Sequence, residues 1–237
     1  MVPRQTGFDR RLHGQRSGRP LSPSLRSHLE HHLAALDLTN AVHCDRENGN
    51  GLDPARLFPG SPCCWLEIGF GNGEHLVHHA RNNPHVGLIG CEAYMRGVAS
   101  AVGKIRDAGL ANIRIHPGDI RDLLDILPTR SITRTFLMFP DPWPKRRHHK
   151  RRFVNREYLD PLARVMAPGA ELRIATDSAD YVRQTLAMIV IHGKFQWTAR
   201  SAGDWDSRWN DSTVTRYEEK ALGRNARCFY LTFTRKS

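Results

Sequence analysis

Short apolar runs alternate with amphipathic segments from about residue 61 to the C-terminus. Cys63–Ile68, Val86–Glu92, Asn112–His116, Ile132–Phe139 and Ala170–Thr176 read as strands. Between them, helical spacing covers Glu74–Arg81, about Tyr94 to Ala108, Ile120–Leu127 and about Val154 to Met166, with a last helix over about Ala179 to Ile191. Phe195–Ala199 and Cys228–Thr234 read as two late strands. Strands this short and this uniformly apolar belong in a sheet covered on both faces. The pattern therefore predicts an α/β fold with a mostly parallel sheet and helices on each side. Ligands of such sheets sit at the carboxyl ends of the strands. Upstream, Leu25, Leu29, Leu33 and Leu36 fall on one helical face over 25–38, and the Asn-, Gly- and Pro-bearing stretch 43–62 reads as a linker. The division expected is an arm, short helix and linker over 1–60 and a catalytic domain over 61–237.

Charge adds a partner to this picture. The chain of 237 residues carries a formal net charge of +11, which suits a polyanion. Six arginines against two acids occupy the first thirty residues, and the first 24 or so read as a basic arm without apolar periodicity. No stretch approaches the roughly 18 apolar residues of a spanning helix, and no apolar core of a secretory signal opens the chain. Five cysteines without CxxC spacing point to reduced thiols and a cytoplasmic setting.

Candidate chemistry falls at the strand ends. Glu67-Ile68-Gly69-Phe70-Gly71-Asn72-Gly73-Glu74 closes the first domain strand and opens a helix. Alternate glycines let the backbone turn sharply against a ligand. A dinucleotide fingerprint would need a third glycine at 74, where Glu74 would meet a pyrophosphate with a negative charge. A cofactor without phosphates, carrying a sulfonium and an ammonium, fits better, with Glu67 and Glu74 as favourable neighbours. Glu92 ends the second strand and can accept from both ribose hydroxyls. Asp119 ends the third and can accept from an adenine amino group.

The segment Phe139–Arg152 (FPDPWPKRRHHKRR) is the most specific feature. Prolines on both sides hold the Asp141 backbone on a short rigid turn. A fixed carboxylate beside Trp143 suits a planar ring that is stacked and hydrogen-bonded. The six basic residues that follow suit phosphates. Together they describe an enzyme acting on a base within a nucleic acid.

Four segments carry a resemblance: Leu66–Gly73, Gly90-Cys91-Glu92, Phe139–Arg152, and Ile174-Ala175-Thr176-Asp177 with Thr215-Arg216-Tyr217-Glu218. The chain resembles the tRNA (guanine-N7-)-methyltransferase family, a group with the class I (Rossmann-like) methyltransferase fold, over about residues 61–235. A weaker echo covers Gly18–Leu21, and Tyr217 stands where Phe is common. The resemblance implies S-adenosyl-L-methionine as cofactor and guanine 46 of tRNA as target. It implies cofactor binding by Glu67, Gly69, Gly71, Gly73, Glu92, Asp119 and Asp141. It places the substrate at Lys145, Asp177, Thr215, Arg216, Tyr217 and Glu218, and the RNA backbone at Arg147, His148, His149, Lys150, Arg151 and Arg152. Asp141 is the catalytic candidate, since guanine N7 carries no proton to remove and a fixed carboxylate can stabilise charge arriving on the ring. A monomer or homodimer is expected.

Other readings remain open from the residues. An exocyclic base-amine methyltransferase would want a second proline where Trp143 stands. A non-catalytic RNA-binding subunit would not need Glu67, Glu92 and Asp141 together. No metal is expected. His75 and His79, like His28 and His32, have the i,i+4 spacing of ligands but no cysteine cluster or obvious third ligand, and read as solvated helix faces. Cys63 and Cys64 read as core, and Trp205 and Trp209 as core or loop anchors.

Overall fold

The structure, a computed structural model, describes residue 18, residues 20–48 and residues 51–237. The basic arm expected over 1–24 lies largely outside the described residues. The chain runs α1 (Pro23–His32), α2 (Thr39–Asn48), α3 (Pro54–Leu57), β1 (Cys64–Ile68), α4 (Glu74–Asn82), β2 (Gly87–Cys91), α5 (Met95–Asp107), β3 (Ile113–His116), α6 (Ile120–Ile126) and β4 (Ile132–Met138). A 3-10 helix (Arg146–Arg151) follows, then α7 (Arg156–Val165), β5 (Met166–Thr176), α8 (Ala179–His192), β6 (Phe195–Trp197), α9 (Gly203–Asp206), α10 (Arg216–Leu222) and β7 (Phe229–Arg235).

Among the described residues the strands form one sheet of seven in the order β3-β2-β1-β4-β5-β7-β6. The first five are parallel, and β7 runs antiparallel to both β5 and β6. β1 and β2 are buried along their whole length, as expected of strands covered on both faces. Two apolar clusters fill the two sides. One centres on Leu66, Leu123, Leu162 and Leu172, the other on Leu76, Val98, Ile115 and Phe136. Chain order reverses between β1 and β4, so the crevice at their carboxyl ends is the place where this topology opens for a ligand.

The predicted strands and helices are present with ends moved by a residue or two, apart from β5, which begins four residues earlier at Met166. Two N-terminal expectations are corrected. The helix over 25–38 stops at His32, and Leu36–Leu38 instead runs along β3. There Leu38 N–H donates to Ile115 O (2.8 Å) and Ile115 N–H to Leu36 O (2.8 Å). β3 is an edge strand, and pairing its exposed backbone outweighs two more helical turns. The 43–62 stretch is not a bare linker. It carries the end of α2 and all of α3, and Leu52 and Phe58, with Leu38 and Val42 before them, lie in the same cluster as Leu66.

Candidate active site

A cleft of about 300 Å3 opens where the loops after β1, β2, β3 and β4 converge. Glu92 builds one wall. Its Oε2 accepts from Gly71 N–H and its Oε1 from Tyr94 N–H, both at 2.8 Å. One carboxylate thus ties the glycine turn to the start of α5. Burial pushes its pKa up, the two amides oppose that, and the neighbouring Asp141 charge adds to the rise. Gly71 sits at φ 56°, and a Cβ at Gly97 would stand 2.4 Å from Gly71 O. α5 can approach the turn this closely only because Gly97 lacks a side chain, while glycine at 71 accommodates the positive φ.

Asp119, the N-cap of α6, also lines the cleft. Arg121 donates to both of its oxygens, from Nε (3.1 and 3.0 Å) and from a terminal nitrogen (2.5 Å), so the carboxylate is held rigidly and keeps only its remaining lone pairs for a ligand. Gly69 lines the cleft, whereas Gly73 packs against Ala101 of α5.

Glu67 and Glu74 do not face the cleft as expected. Glu74 is bound to Lys104, whose ammonium also donates to Asn72 O (2.9 Å). Glu67 is buried and lies 2.9 Å from His75 Nδ1, and His75 Nε2 lies 3.1 Å from His79 Nε2. His75 and His79 are thus no solvated face: each is 1% exposed. The pattern sets His75 Nδ1–H as donor to Glu67 and His79 Nε2–H as donor to His75. That leaves His79 Nδ1 as a buried acceptor with no partner among the described residues. Burial and the adjacent imidazole push His79 down to about 2, so it stays neutral, stacked on Phe136 (centroids 4.6 Å apart). Among the described residues no cluster of three or more His, Cys, Asp or Glu could hold a metal ion. Glu67→Ala, which leaves His75 Nδ1–H buried and unpaired, should cost about 1–3 kcal/mol of stability in urea denaturation. Glu67→Gln keeps an acceptor and should retain most of that stability and its affinity for the cofactor. A loss of cofactor binding in the folded Gln variant would return Glu67 to the cofactor site.

Asp141 stands opposite Glu92 on the turn after β4. The backbone there is strained: Phe139 has φ 49° and Trp143 φ 41°. Bulky side chains avoid this region at a cost of about 1–3 kcal/mol each, and such outliers gather at functional sites. The Asp141 side chain is exposed to the cleft, and the surrounding wall displaces enough water to raise its pKa. Trp143 completes the turn with His148 edge-on (5.7 Å) and the Arg151 guanidinium over its ring (4.9 Å).

Tyr217 faces this turn from α10. It lines the cleft, remains 49% exposed, and lies over Gly71, where an added Cβ would be 3.1 Å from its ring. Its neighbours in the motif do other work. Thr215 is the N-cap of α10, its Oγ1 accepting from Glu218 N–H at 3.2 Å. Glu218 is buried, accepting from Tyr230 Oη–H (2.5 Å) and Arg208 (3.1 Å). Thr215 and Glu218 therefore fix the helix that presents Tyr217, and Glu218 Oε2 is buried with no hydrogen-bond partner among the described residues. Arg216, Lys145 and Asp177 are exposed beyond the cleft lining.

The basic run divides in the same way. Lys145, Arg146, Arg147 and Lys150 are exposed, His148 and His149 are partly covered, and His149 lies 3.4 Å from Asp180. Arg151 turns to the cleft. Arg152 is 1% exposed and points inward, so its side chain is not available to a phosphate. Sequence reasoning missed Phe153 and Tyr158, whose rings meet at 4.8 Å and help form an apolar wall of the cleft near Asp119. Nothing in their spacing marks them, because helix and loop bring them there from outside the strand ends. Trp205 and Trp209 are anchors as expected: Trp205 stacks on Phe229, and Trp209 Nε1–H donates to Thr232 Oγ1 (2.9 Å).

The chain is similar to known proteins in sequence and in fold. A family model described as "Putative methyltransferase" matches residues 62–231. The protein named tRNA (guanine-N(7)-)-methyltransferase from Roseobacter denitrificans is 50% identical over 233 residues, 98% of this chain and 99% of its own length. Its namesake from Ruegeria pomeroyi is 51% identical over 226 residues, 95% and 94% of the two chains. Among solved structures, the 16S rRNA methyltransferase KamB aligns with a TM-score of 0.54 at 18% identity over 77% of this chain and 92% of that one. The 16S rRNA (adenine(1408)-N(1))-methyltransferase of Catenulisporales acidiphilia, solved with its cosubstrate SAM, aligns with a TM-score of 0.54 at 17% identity, covering 78% and 92%. These two share the class I methyltransferase fold. With half of its residues matched over nearly its whole length, the chain belongs to the tRNA (guanine-N(7)-)-methyltransferase family.

Proposed function

We propose that this chain methylates N7 of guanine 46 in tRNA with S-adenosyl-L-methionine. The observation that carries the reading is the position of Asp141. It is a carboxylate on a strained, proline-bound turn, facing the Glu92 wall on one side and bounded by the rings of Trp143 and Tyr217 on the other. The cleft fits the cofactor by its donor set. Glu92 and Asp119 offer carboxylate lone pairs for ribose hydroxyls and an amino group, Phe153 and Tyr158 give an apolar wall, and the acids that line the cleft disfavour a pyrophosphate. When bound there, S-adenosyl-L-methionine supplies an electrophilic methyl group on a sulfonium.

The protein's part is orientation and charge. Guanine N7 holds a free lone pair, so no general base is needed. Asp141 accepts from the N1–H and N2–H2 edge, which fixes the ring and aims N7 inward. As the methyl bond forms, positive charge moves onto the purine, and the nearby carboxylate stabilises it. Trp143 and Tyr217 offer faces on which a base splayed from its stack can lie. In this reading residues 61–237 carry the catalytic chemistry, Leu38, Val42, Leu52 and Phe58 pack into the core beneath it, and the five free cysteines suit a cytoplasmic setting. Among the described residues no helix is long and apolar enough to cross a membrane.

Incubation of the purified protein with labelled cofactor and unmodified tRNA, followed by nucleoside analysis, should yield 7-methylguanosine. A methyl group on an exocyclic amine would overturn the reading. The phosphate track is tested separately. Arg147 and Lys150 are exposed on the 3-10 helix. Arg147→Gln with Lys150→Gln should weaken tRNA binding and flatten the log-affinity against log-salt slope by roughly 1.5 at most. Cofactor affinity should not change. An unaltered slope would remove this run from the RNA interface.

A further inference from the structure

Arg152 closes the basic run yet makes none of the contacts its sequence position suggests. Its side chain is 1% exposed. Nε–H donates to Pro142 O at 2.8 Å and a terminal nitrogen to Trp143 O at 3.4 Å. The other face of the fork reaches α8, where it donates to Gln184 Oε1 and Asp180 Oδ2, both at 2.6 Å. The Tyr181 ring lies 5.3 Å below. Two consecutive carbonyls of the Asp141 turn are thus bound to one helix through one planar group.

We propose that Arg152 is a positioning residue, the strut by which α8 holds the Asp141 turn in its catalytic geometry. The inference rests on the Asp141 reading given above. Three features carry it. The bonds go to the carbonyls of Pro142 and Trp143, the residues directly after Asp141, so they set where its side chain points. Trp143 sits at φ 41°, a conformation that the chain abandons unless its surroundings impose it. Finally, burying a guanidinium is costly unless it is fully paired, and its only anionic partner among the described residues, Asp180, is itself 46% exposed. A lysine would present a point charge in place of the fork and could not bridge the turn and the helix in one plane.

The test separates a strut from a phosphate contact and from a merely structural residue. Arg152→Gln should fold, bind tRNA with an unchanged salt slope, and lose about tenfold to a hundredfold in single-turnover methyl transfer, the penalty for a displacement near 1 Å at the reacting centre. A shallower salt slope would make Arg152 a phosphate contact and overturn the proposal. Gln184 gives a second route should Arg152→Gln fail to fold. Gln184→Leu removes an anchor and should slow transfer, whereas Gln184→Glu keeps an acceptor and should retain the rate. Equal rates in the two variants overturn the strut. The Asp141→Asn variant is measured alongside. If the strut acts through Asp141, Asp141→Asn combined with Arg152→Gln, or with Gln184→Leu, is no slower than Asp141→Asn alone; a multiplicative loss overturns the proposal. Should Asp141→Asn alone retain its rate, it is the Asp141 reading that has failed, and the strut falls with it.

Discussion

Asp141→Asn should fold, bind cofactor and tRNA, and lose at least about 10²-fold in the rate of methyl transfer. The substitution keeps the shape of the side chain and one acceptor oxygen. It removes the charge, which is what the developing cation on the purine meets. The loss should appear in single-turnover rates, since an interaction made mainly in the transition state lowers the rate without a matching change in substrate binding. Near-normal transfer by the Asn variant would reject Asp141 as the central residue.

The raised pKa of Asp141 adds a pH signature. The wall of the cleft favours the protonated acid, so the wild-type rate should fall on the acid side at a higher pH than an ordinary carboxylate would give. Above that limb the rate should be flat into mildly alkaline solution, because N7 has no proton to lose. In Asp141→Asn the acid limb from this group should vanish. The sign for stability is opposite to the sign for activity. A carboxylate whose folded pKa lies above its unfolded value takes up protons on folding, so stability falls as pH rises through that window. Above it, the charged Asp141 is a cost to the fold, and the Asn variant should melt no lower than wild type at neutral pH. A fixed charge at a strained turn is a site where stability is given up for rate.

The layers of this fold are legible in the chain because its strands are short, apolar and separated by amphipathic helices. The cleft follows from them, since Gly71, Glu92, Asp119 and Asp141 all fall just beyond strand ends. What misleads is direction. Arg151 and Arg152 are adjacent cations in one run, but the 3-10 helix ends at Arg151 and the chain then turns Arg152 inward. His75 and His79 share the polar spacing of an exposed face, yet Glu67 at the end of β1 lies beside His75 and lets both rings be buried. Thr215 and Glu218 belong to the motif that supplies Tyr217, but a capping hydroxyl and a buried carboxylate are what orient that ring. For Arg152 the missing information is its contact with α8, far along the chain, which neither periodicity nor residue type encodes; the Glu67–His75 pair and the Thr215 cap are local, and what spacing leaves open there is which face packs inward. Leu36–Leu38 teaches the same lesson for the backbone: helical spacing is present, but an unpaired strand edge claims the segment.

Glu92→Ala should weaken cofactor binding by about 1–3 kcal/mol, roughly fivefold to 150-fold in Kd, with tRNA affinity little changed. Two losses combine. The remaining lone pairs of the carboxylate no longer meet the ribose hydroxyls, and the amides of Gly71 and Tyr94 lose their shared acceptor. Glu92→Gln discriminates between them. Both carboxylate oxygens accept from backbone N–H groups, so whichever way a glutamine amide is turned, its NH2 faces an N–H donor. The nominally conservative change should therefore cost nearly as much affinity as alanine. If Glu92 served only as a hydrogen-bond acceptor to the cofactor, with no part in holding the glycine turn, Gln would retain most of the affinity. Calorimetry with S-adenosyl-L-methionine on the three proteins separates the outcomes. Equal weakening in Ala and Gln places Glu92 at the junction of the turn, α5 and the cofactor. Unchanged affinity in a folded Glu92→Ala protein removes it from the cofactor site.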